Sequence, residues 1–250
     1  GWSLESFITE LYAAYARLGQ GQALWDYQPL PAYSVFVAQE QTAMASESHQ
    51  DYWSAVLEEA QVPSWSEAPK TTSERIECPI SAQTSADIIA LAARLGVQEK
   101  SVWCAVYLTL LNLLEGGQDT VGTVLSQGRP EIPGGDKIVG LFLNALPTRI
   151  CQRGLTWGEY IEAVDKALRQ QHEYRHYPLI EIQAKTGLNF AGSMFNYTNW
   201  RVYYEGVEQA GETESSGATT PTPFKVGGWA ETNYLLLMDA FKDEQQQSFG

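Results

Sequence analysis

Three histidines, three cysteines and a few paired carboxylates are the residues of this 250-residue chain with the chemistry for acid–base, nucleophilic or metal work. His172 and His176 stand four apart in the run HEYRHYP. On a helix that spacing would put two imidazoles on one face as metal ligands. No third ligand or HExxH glutamate accompanies them, and Pro178 is a helix stopper just beyond. They read as a helix-end pair favoured by the macrodipole, and no metal site is expected. His49, in a polar stretch before a helix, reads as a solvated surface residue. Cys78, Cys104 and Cys151 are far apart, odd in number and outside any CxxC or Cys/His spacing. Cys104 lies in an apolar run and reads as a small core residue rather than a reactive thiol. This cysteine usage fits a reducing, cytoplasmic setting. No serine sits in a GxSxG elbow, no P-loop or GxGxxG is present, and Glu58-Glu59 reads as a solvated helix end. Taken residue by residue, the sequence contains no complete catalytic constellation.

The elements that would position these groups follow from periodicity and punctuation. Leu4, Phe7, Ile8, Leu11, Tyr12, Tyr15 and Leu18 fall on one face of a helix. Ser3 is its expected N-cap, Glu5 lies in its first turn, and Gly19 and Gly21 stop it. Residues 26–34, DYQPLPAYS, read as an extended crossing. Ser48 and Asp51 resemble a capping box before a short helix with Tyr52, Trp53, Val56 and Leu57 on its apolar side. Residues 63–72 are polar and proline-bearing, the best boundary in the chain. Residues 74–81, ERIECPIS, read as a strand, kept to an edge or an end by Pro79. Thr84 with Asp87 is the expected cap of a helix carrying Ile88, Ile89, Leu91, Ala92 and Leu95 and closed by Gly96. Ser101 then opens an apolar helix to Leu114, buried on most sides. Residues 119–126 and 138–150 look strand-like, joined by a loop with Pro130, Pro133, Gly134 and Gly135. Thr156 and Glu159 form a capping box for a helix with Trp157, Tyr160, Ile161, Val164 and Leu168. A strand over 193–204, a low-complexity polar loop over 206–223 and closing strands over 225–229 and 233–241 follow. The tail, residues 245–250, is left without an element. Helices alternate with strands, so the fold class is α/β or mixed α+β.

Composition bounds the function. A 44% hydrophobic and 12% aromatic content supplies a real core. Thirty acidic residues against sixteen basic ones leave a formal net charge of -14, which opposes nucleic-acid binding. The longest apolar run, Val102 to Leu114, is too short to span a membrane and is interrupted by Thr109 and Asn112.

Several segments together resemble the condensation domain of nonribosomal peptide synthetases, in the chloramphenicol-acetyltransferase-like superfamily. Gly1-Trp2-Ser3 resembles the tail of that family's HHxxxDG motif, which is commonly followed by Trp-Ser and a helix. Tyr52-Trp53 through Leu57 is similar to its YW…L element, and Ser126-Gln127-Gly128-Arg129-Pro130 to its S-G-R-P strand end. Residues 139–149, VGLFLNALPTR, resemble VGxFxNTLPxR, with Ala145 in place of the usual Thr. His176-Tyr177-Pro178-Leu179 is similar to the H-x-Y-P element, and Phe195-Asn196-Tyr197 to its F-N-Y strand.

The resemblance implies a V-shaped pair of similar lobes, each a sheet flanked by helices, with a tunnel between them. Peptidyl and aminoacyl carrier domains would deliver two thioesters on phosphopantetheine arms, with no cofactor bound directly. The acceptor amine would attack the donor thioester to form an amide. The second histidine of HHxxxDG would act as base or as positioner of the amine, and the motif's aspartate would be structural. Both histidines and that aspartate are expected immediately before Gly1. The chain then resembles the second half of a condensation domain: residues 1–65 complete the N-terminal lobe and a crossing segment, and 66–250 form most of the C-terminal lobe. On this mapping Asn144 and Pro147 lie near the tunnel floor. Asn196 either faces the reaction centre, where its amide could bind an oxyanion, or satisfies local backbone. Arg129 contacts a carrier arm or, preferably, forms a structural ion pair. Trp2 and Ser3 set the geometry of the motif loop, and His176 is structural. Three readings compete: an enzyme fragment inactive without its histidine, a docking lobe for carriers without chemistry, and a related epimerisation or cyclisation domain. Without the upstream lobe, the apolar stripe of the first helix is expected to lead to self-association, helix swapping or a displaced helix.

Overall fold

Local capping and apolar spacing account for most of the helices in the computed structural model, which describes residues 2–24, 29–69, 72–117, 119–199, 232–243 and 248–250. The chain opens with helix α1 (Trp2–Gly19). Ser3 lies inside its first turn, not at the expected N-cap, and its hydroxyl is used in tertiary contacts. The expected crossing ends at a second helix, α2 (Ser34–Ala45), which the sequence pattern did not announce. The apolar residues of SVFVAQEQTAMA are spread around the helix, so no stripe marks it. Burial of Phe36 and Ala43 holds it in place. Helix α3 (Glu47–Val56) follows with Ser46 as N-cap, and the Ser48–Asp51 box does not form. Residues 74–81 carry no strand. All but the half-buried Ile80 are exposed, with an ion pair of 3.4 Å between Arg75 and Glu77, and no strand pairs with them among the described residues.

Helix α4 (Ala82–Leu95) is capped by Ser81, whose hydroxyl accepts a 3.0 Å bond from the Thr84 amide, so the cap lies three residues before the expected Thr84. Gly96 ends it at φ 66°, a left-handed conformation that suits glycine. Helix α5 (Glu99–Leu114) starts two residues before Ser101. It buries Val102, Cys104, Ala105, Tyr107, Leu108 and Leu111, while Leu113 and Leu114 face outward. Strands β1 (Gly122–Gln127) and β2 (Leu143–Thr148) follow. Helix α6 (Trp157–Glu173) carries the expected Thr156–Glu159 capping box in full. Pro178 stops the preceding segment and also serves as N-cap of a short helix, α7 (Leu179–Thr186), which the sequence reading did not anticipate. Strands β3 (Ser193–Asn199), β4 (Leu236–Asp243) and β5 (Ser248–Phe249) complete the sheet. The tail is therefore not without an element: β5 pairs with β4 and Phe249 is buried. The expected loop over 206–223, the strand over 225–229 and the end of the 193–204 strand lie outside the described residues.

The five strands run in the order β2-β1-β3-β4-β5. β1 is antiparallel to β2 and parallel to β3, β3 is parallel to β4, and β4 is antiparallel to β5. Helices α4, α5 and α6 cover one face, where Val124, Phe195 and Ala240 meet Cys104, Tyr107, Leu108, Tyr160 and Val164 in the main core. The Tyr107 hydroxyl donates to Ser193 Oγ at 2.7 Å and accepts from the Thr123 amide at 3.1 Å, which ties α5 to β1 and β3. At the far edge, Lys242 Nζ meets Glu99 Oε1 at 2.8 Å and anchors β4 to the start of α5. A second cluster joins Trp53 and Leu57 to Val121, Leu146, Tyr177, Ile182 and Phe190. Side chains from both sides of residue 65 therefore share one core. Pro147 is tolerated because β2 is an edge strand of this sheet.

Candidate functional site

Segments far apart in the chain meet where α1 begins. Ser3 Oγ donates to the Gly140 carbonyl at 2.7 Å and accepts from the Gly140 amide at 3.1 Å and from an Arg129 Nη2 at 3.2 Å. One hydroxyl hydrogen and two lone pairs are thus all used. Arg129 Nη1 donates to the carbonyls of Gly135 at 3.1 Å and Ile138 at 2.5 Å, and its guanidinium lies 4.3 Å from the centre of the Phe142 ring. Partial burial draws the Arg129 pKa down, and the Asp136 carboxylate opposes that shift. Arg129 is thus a structural hub bound to backbone and ring.

Aromatic packing closes the junction from below. Phe36, Ile138 and Phe142 are buried together. The rings of Tyr33 and Phe36 stand 5.1 Å and 5.2 Å from Phe142, and the Tyr33 hydroxyl donates to the Leu141 carbonyl at 2.6 Å. A Cβ on Gly140 would come within 2.4 Å of the Tyr33 ring, so only glycine fits there. A shallow cleft of about 250 Å³ opens beside the junction, between α1 and the segment 137–139, with Ser6, Glu10 and Lys137 among its lining residues.

The histidines take separate partners. His172 Nε2 meets Glu131 Oε1 at 3.0 Å, and Glu131 also receives Arg175 Nη2 at 2.7 Å. The Glu131 carboxyl is held below its ordinary pKa, first by the His172 hydrogen bond and then by the Arg175 charge. His176 donates from Nε2 to the Gly128 carbonyl at 3.0 Å, and burial depresses its pKa. The pair does not converge on a metal, and no group of three or more potential ligands occurs among the described residues. His49 is half-buried, against the expectation of a solvated residue: its Nδ1 meets Ser46 Oγ at 3.0 Å and its ring lies edge-on to Tyr174 at 5.1 Å. Cys104 is fully buried, and desolvation pushes its thiol up to about 12.

Strand register separates the two asparagines. Asn144 pairs with Ser126, on the helix-covered face. Its Nδ2 donates to the carbonyls of Arg175 at 3.0 Å and Tyr177 at 2.8 Å, and its Oδ1 accepts from the Leu179 amide at 3.2 Å. The whole amide group is spent on fastening β2 to the turn that starts α7. Asn196 alternates with Phe195 and Tyr197, so it lies on the opposite face, as does Pro147, which pairs with Thr123 beside Met194. Asn196 Nδ2 donates to Asp239 Oδ1 at 2.9 Å and to Thr198 Oγ1 at 3.5 Å. Its amide hydrogens are therefore directed within the sheet, to a carboxylate and a hydroxyl. Gly1 and the Trp2 side chain lie outside the described residues. Sequence reasoning missed Tyr33 and Asp239. The register that brings Asp239 opposite Asn196 is the only signal for it, and that register is a tertiary fact.

The mixed five-stranded sheet with helices α4, α5 and α6 on one face has the chloramphenicol-acetyltransferase-like fold. Residues 1–246 match the Condensation domain family, and the chain belongs to that family. Among curated relatives, the AMB antimetabolite synthetase AmbE of Pseudomonas aeruginosa is 29% identical over 210 residues, covering 80% of this chain and 10% of that protein. Tyrocidine synthase 2 of Brevibacillus parabrevis is 29% identical over 198 residues, covering 75% and 5%. Among solved structures, the first condensation domain of the calcium-dependent antibiotic synthetase, in complex with a substrate analogue, superposes with a TM-score of 0.61 at 21% identity. That match covers 79% of this chain and 45% of that one. The X-domain from teicoplanin biosynthesis superposes with a TM-score of 0.72 at 16% identity, covering 98% and 58%. The chain thus spans a tenth or less of these two curated relatives and about half of each solved structure. No helix among the described residues is long and apolar enough to cross a membrane.

Proposed function

We propose that this chain serves amide-bond formation between thioesters carried on phosphopantetheine arms, as the scaffold half of a condensation domain. The acceptor's amine nitrogen attacks the donor carbonyl carbon, a C–N bond forms, the C–S bond breaks, and the donor arm departs as a thiol with the displaced proton. In the family the HHxxxDG histidine would position or deprotonate the amine, and Gly1-Trp2-Ser3 resembles the residues that follow that motif. Its partners are peptidyl and aminoacyl carrier domains and an N-terminal lobe, in a cytoplasmic setting. Residues 1–65 finish that lobe, and residues 66–250 supply the other.

The observation that carries this reading is the anchoring of Ser3. Ser3 is held by both Arg129 and Gly140, and each of the three lies in a segment that resembles a family motif. A loop entering α1 is thereby fixed against the segment 139–149, and preorganised placement of a catalytic loop is what a condensation site needs.

The test is peptide-bond formation with two loaded carrier domains. The 250-residue chain alone is expected to give no product, and joining it to a preceding lobe bearing HHxxxD should restore turnover. Turnover by the chain alone would refute the scaffold reading. Carrier binding without turnover in the joined protein would favour a docking lobe instead.

A further inference from the structure

Arg129, which holds Ser3, sits in a segment gripped from its other side by the turn between α6 and α7. Arg175 in that turn is buried, yet its Nη2 meets the exposed Glu131 at 2.7 Å. Its Nη1 donates to the His172 carbonyl at 2.6 Å, which fixes the guanidinium to the end of α6, and its Nε has no partner among the described residues. Glu131 is the one carboxylate paired with this cation among the described residues. A buried cation left without its counter-charge is strongly destabilising, so Arg175 holds Glu131 against the turn. His176 adds a second grip. Its Nε2 donates to the Gly128 carbonyl at 3.0 Å, and a Cβ on Gly128 would come within 3.2 Å of the imidazole. Residues 128 and 131 are thus both tied to the turn, with Arg129 between them. Arg129 carries that placement onward through its 3.2 Å bond to Ser3 Oγ, which in turn accepts from the Gly140 amide.

We propose that Arg175 and Glu131 are positioning residues: they set the backbone of residues 128–131, hence the Arg129 guanidinium, hence Ser3 at the start of α1. Their consequence for amide formation rests on the proposed function above; the series of contacts from Arg175 to Ser3 does not. Because the two act through Arg129 rather than on substrate, their loss lowers kcat and leaves the acceptor KM little changed.

Hydrogen exchange at the Gly140 amide, which donates to Ser3 Oγ, reads the far end of this series in the 250-residue chain. Arg175→Met is expected to speed that exchange about fivefold. Glu131→Gln, at an exposed position, should also speed it, with an unchanged melting temperature. Arg175→Lys keeps one donor for Glu131 and should recover part of the protection. The double variant should lose no more than Arg175→Met alone, as befits one series of contacts. Arg169→Met breaks the 2.5 Å pair with Asp165 farther back on α6 and should leave Gly140 unaffected. In the protein joined to a preceding lobe bearing HHxxxD, Arg175→Met and Glu131→Gln should each lower kcat roughly tenfold with the acceptor KM unchanged. Unchanged Gly140 exchange in both variants, or faster exchange with an unchanged kcat, would each overturn the proposal. An unaltered joined protein that makes no amide would sink the proposed reaction instead, and Gly140 exchange would still decide whether Arg175 holds Ser3.

Discussion

Ser3 illustrates how much a single hydroxyl can hold. It bridges the Gly140 backbone and the Arg129 guanidinium, so Ser3→Ala leaves a partly buried charge and two backbone groups short of a partner. A loss of about 2 kcal/mol in unfolding free energy is expected, measured by urea denaturation. Asn144→Ala strips three backbone groups of their partner at the start of α7. It should cost about 2–3 kcal/mol and loosen α7 selectively in hydrogen exchange, which a solvent-facing asparagine would not do. His176 carries a pH dependence. Burial lowers its folded pKa below the ordinary 6.5, so the unfolded chain binds the proton more readily. The stability it contributes is present above pH 6.5 and falls as pH drops below that value. His176→Gln, with an amide able to donate to Gly128, should flatten the stability curve between pH 6.5 and 5; an unchanged slope would exclude His176 as its source.

At the scale of elements, α1 and α5 contrast. Tyr107, Leu108 and Leu111 of α5 vanish into the core, while α1 leaves Phe7 53%, Leu11 56%, Tyr15 76% and Leu18 57% exposed. A large apolar side chain gains about 1.5–3 kcal/mol on burial. The chain on its own should therefore self-associate through α1, with light scattering showing a concentration-dependent mass. Leu11→Glu with Tyr15→Glu should return it to a monomer. A monodisperse monomer at high concentration would count against this. Helices with local signals were legible: the Thr156–Glu159 box and Gly96 can be read from neighbouring residues. Helix α2 was not, because its apolar residues have no helical period and only Phe36 and Ala43 find the core. The expected strand at 74–81 failed for the complementary reason. A strand needs a partner, and none among the described strands pairs with it.

For the whole molecule, the three thiols report the layering. Cys104 sits at the centre of the main core and burial raises its pKa to about 12, whereas Cys78 and Cys151 are exposed. Alkylation at pH 8 should modify two thiols rapidly and the third only on unfolding, as mass spectrometry would count. Reaction of Cys104 at the rate of the others would mean that α5 is not packed on the sheet. Motif order along the chain was enough to indicate the family. By itself the sequence determined the local facts: which runs cap as helices, that Cys104 belongs inside, and that no nucleophile elbow is present. These depend on contacts within a few residues. Only the tertiary structure decided that Ser3 reaches Gly140 across 137 positions, that Asn144 and Asn196 point to opposite faces, and that Asp239 stands against Asn196. Sheet register and long-range packing set those contacts, and strand alternation changes face with a one-residue shift, so no local pattern encodes them.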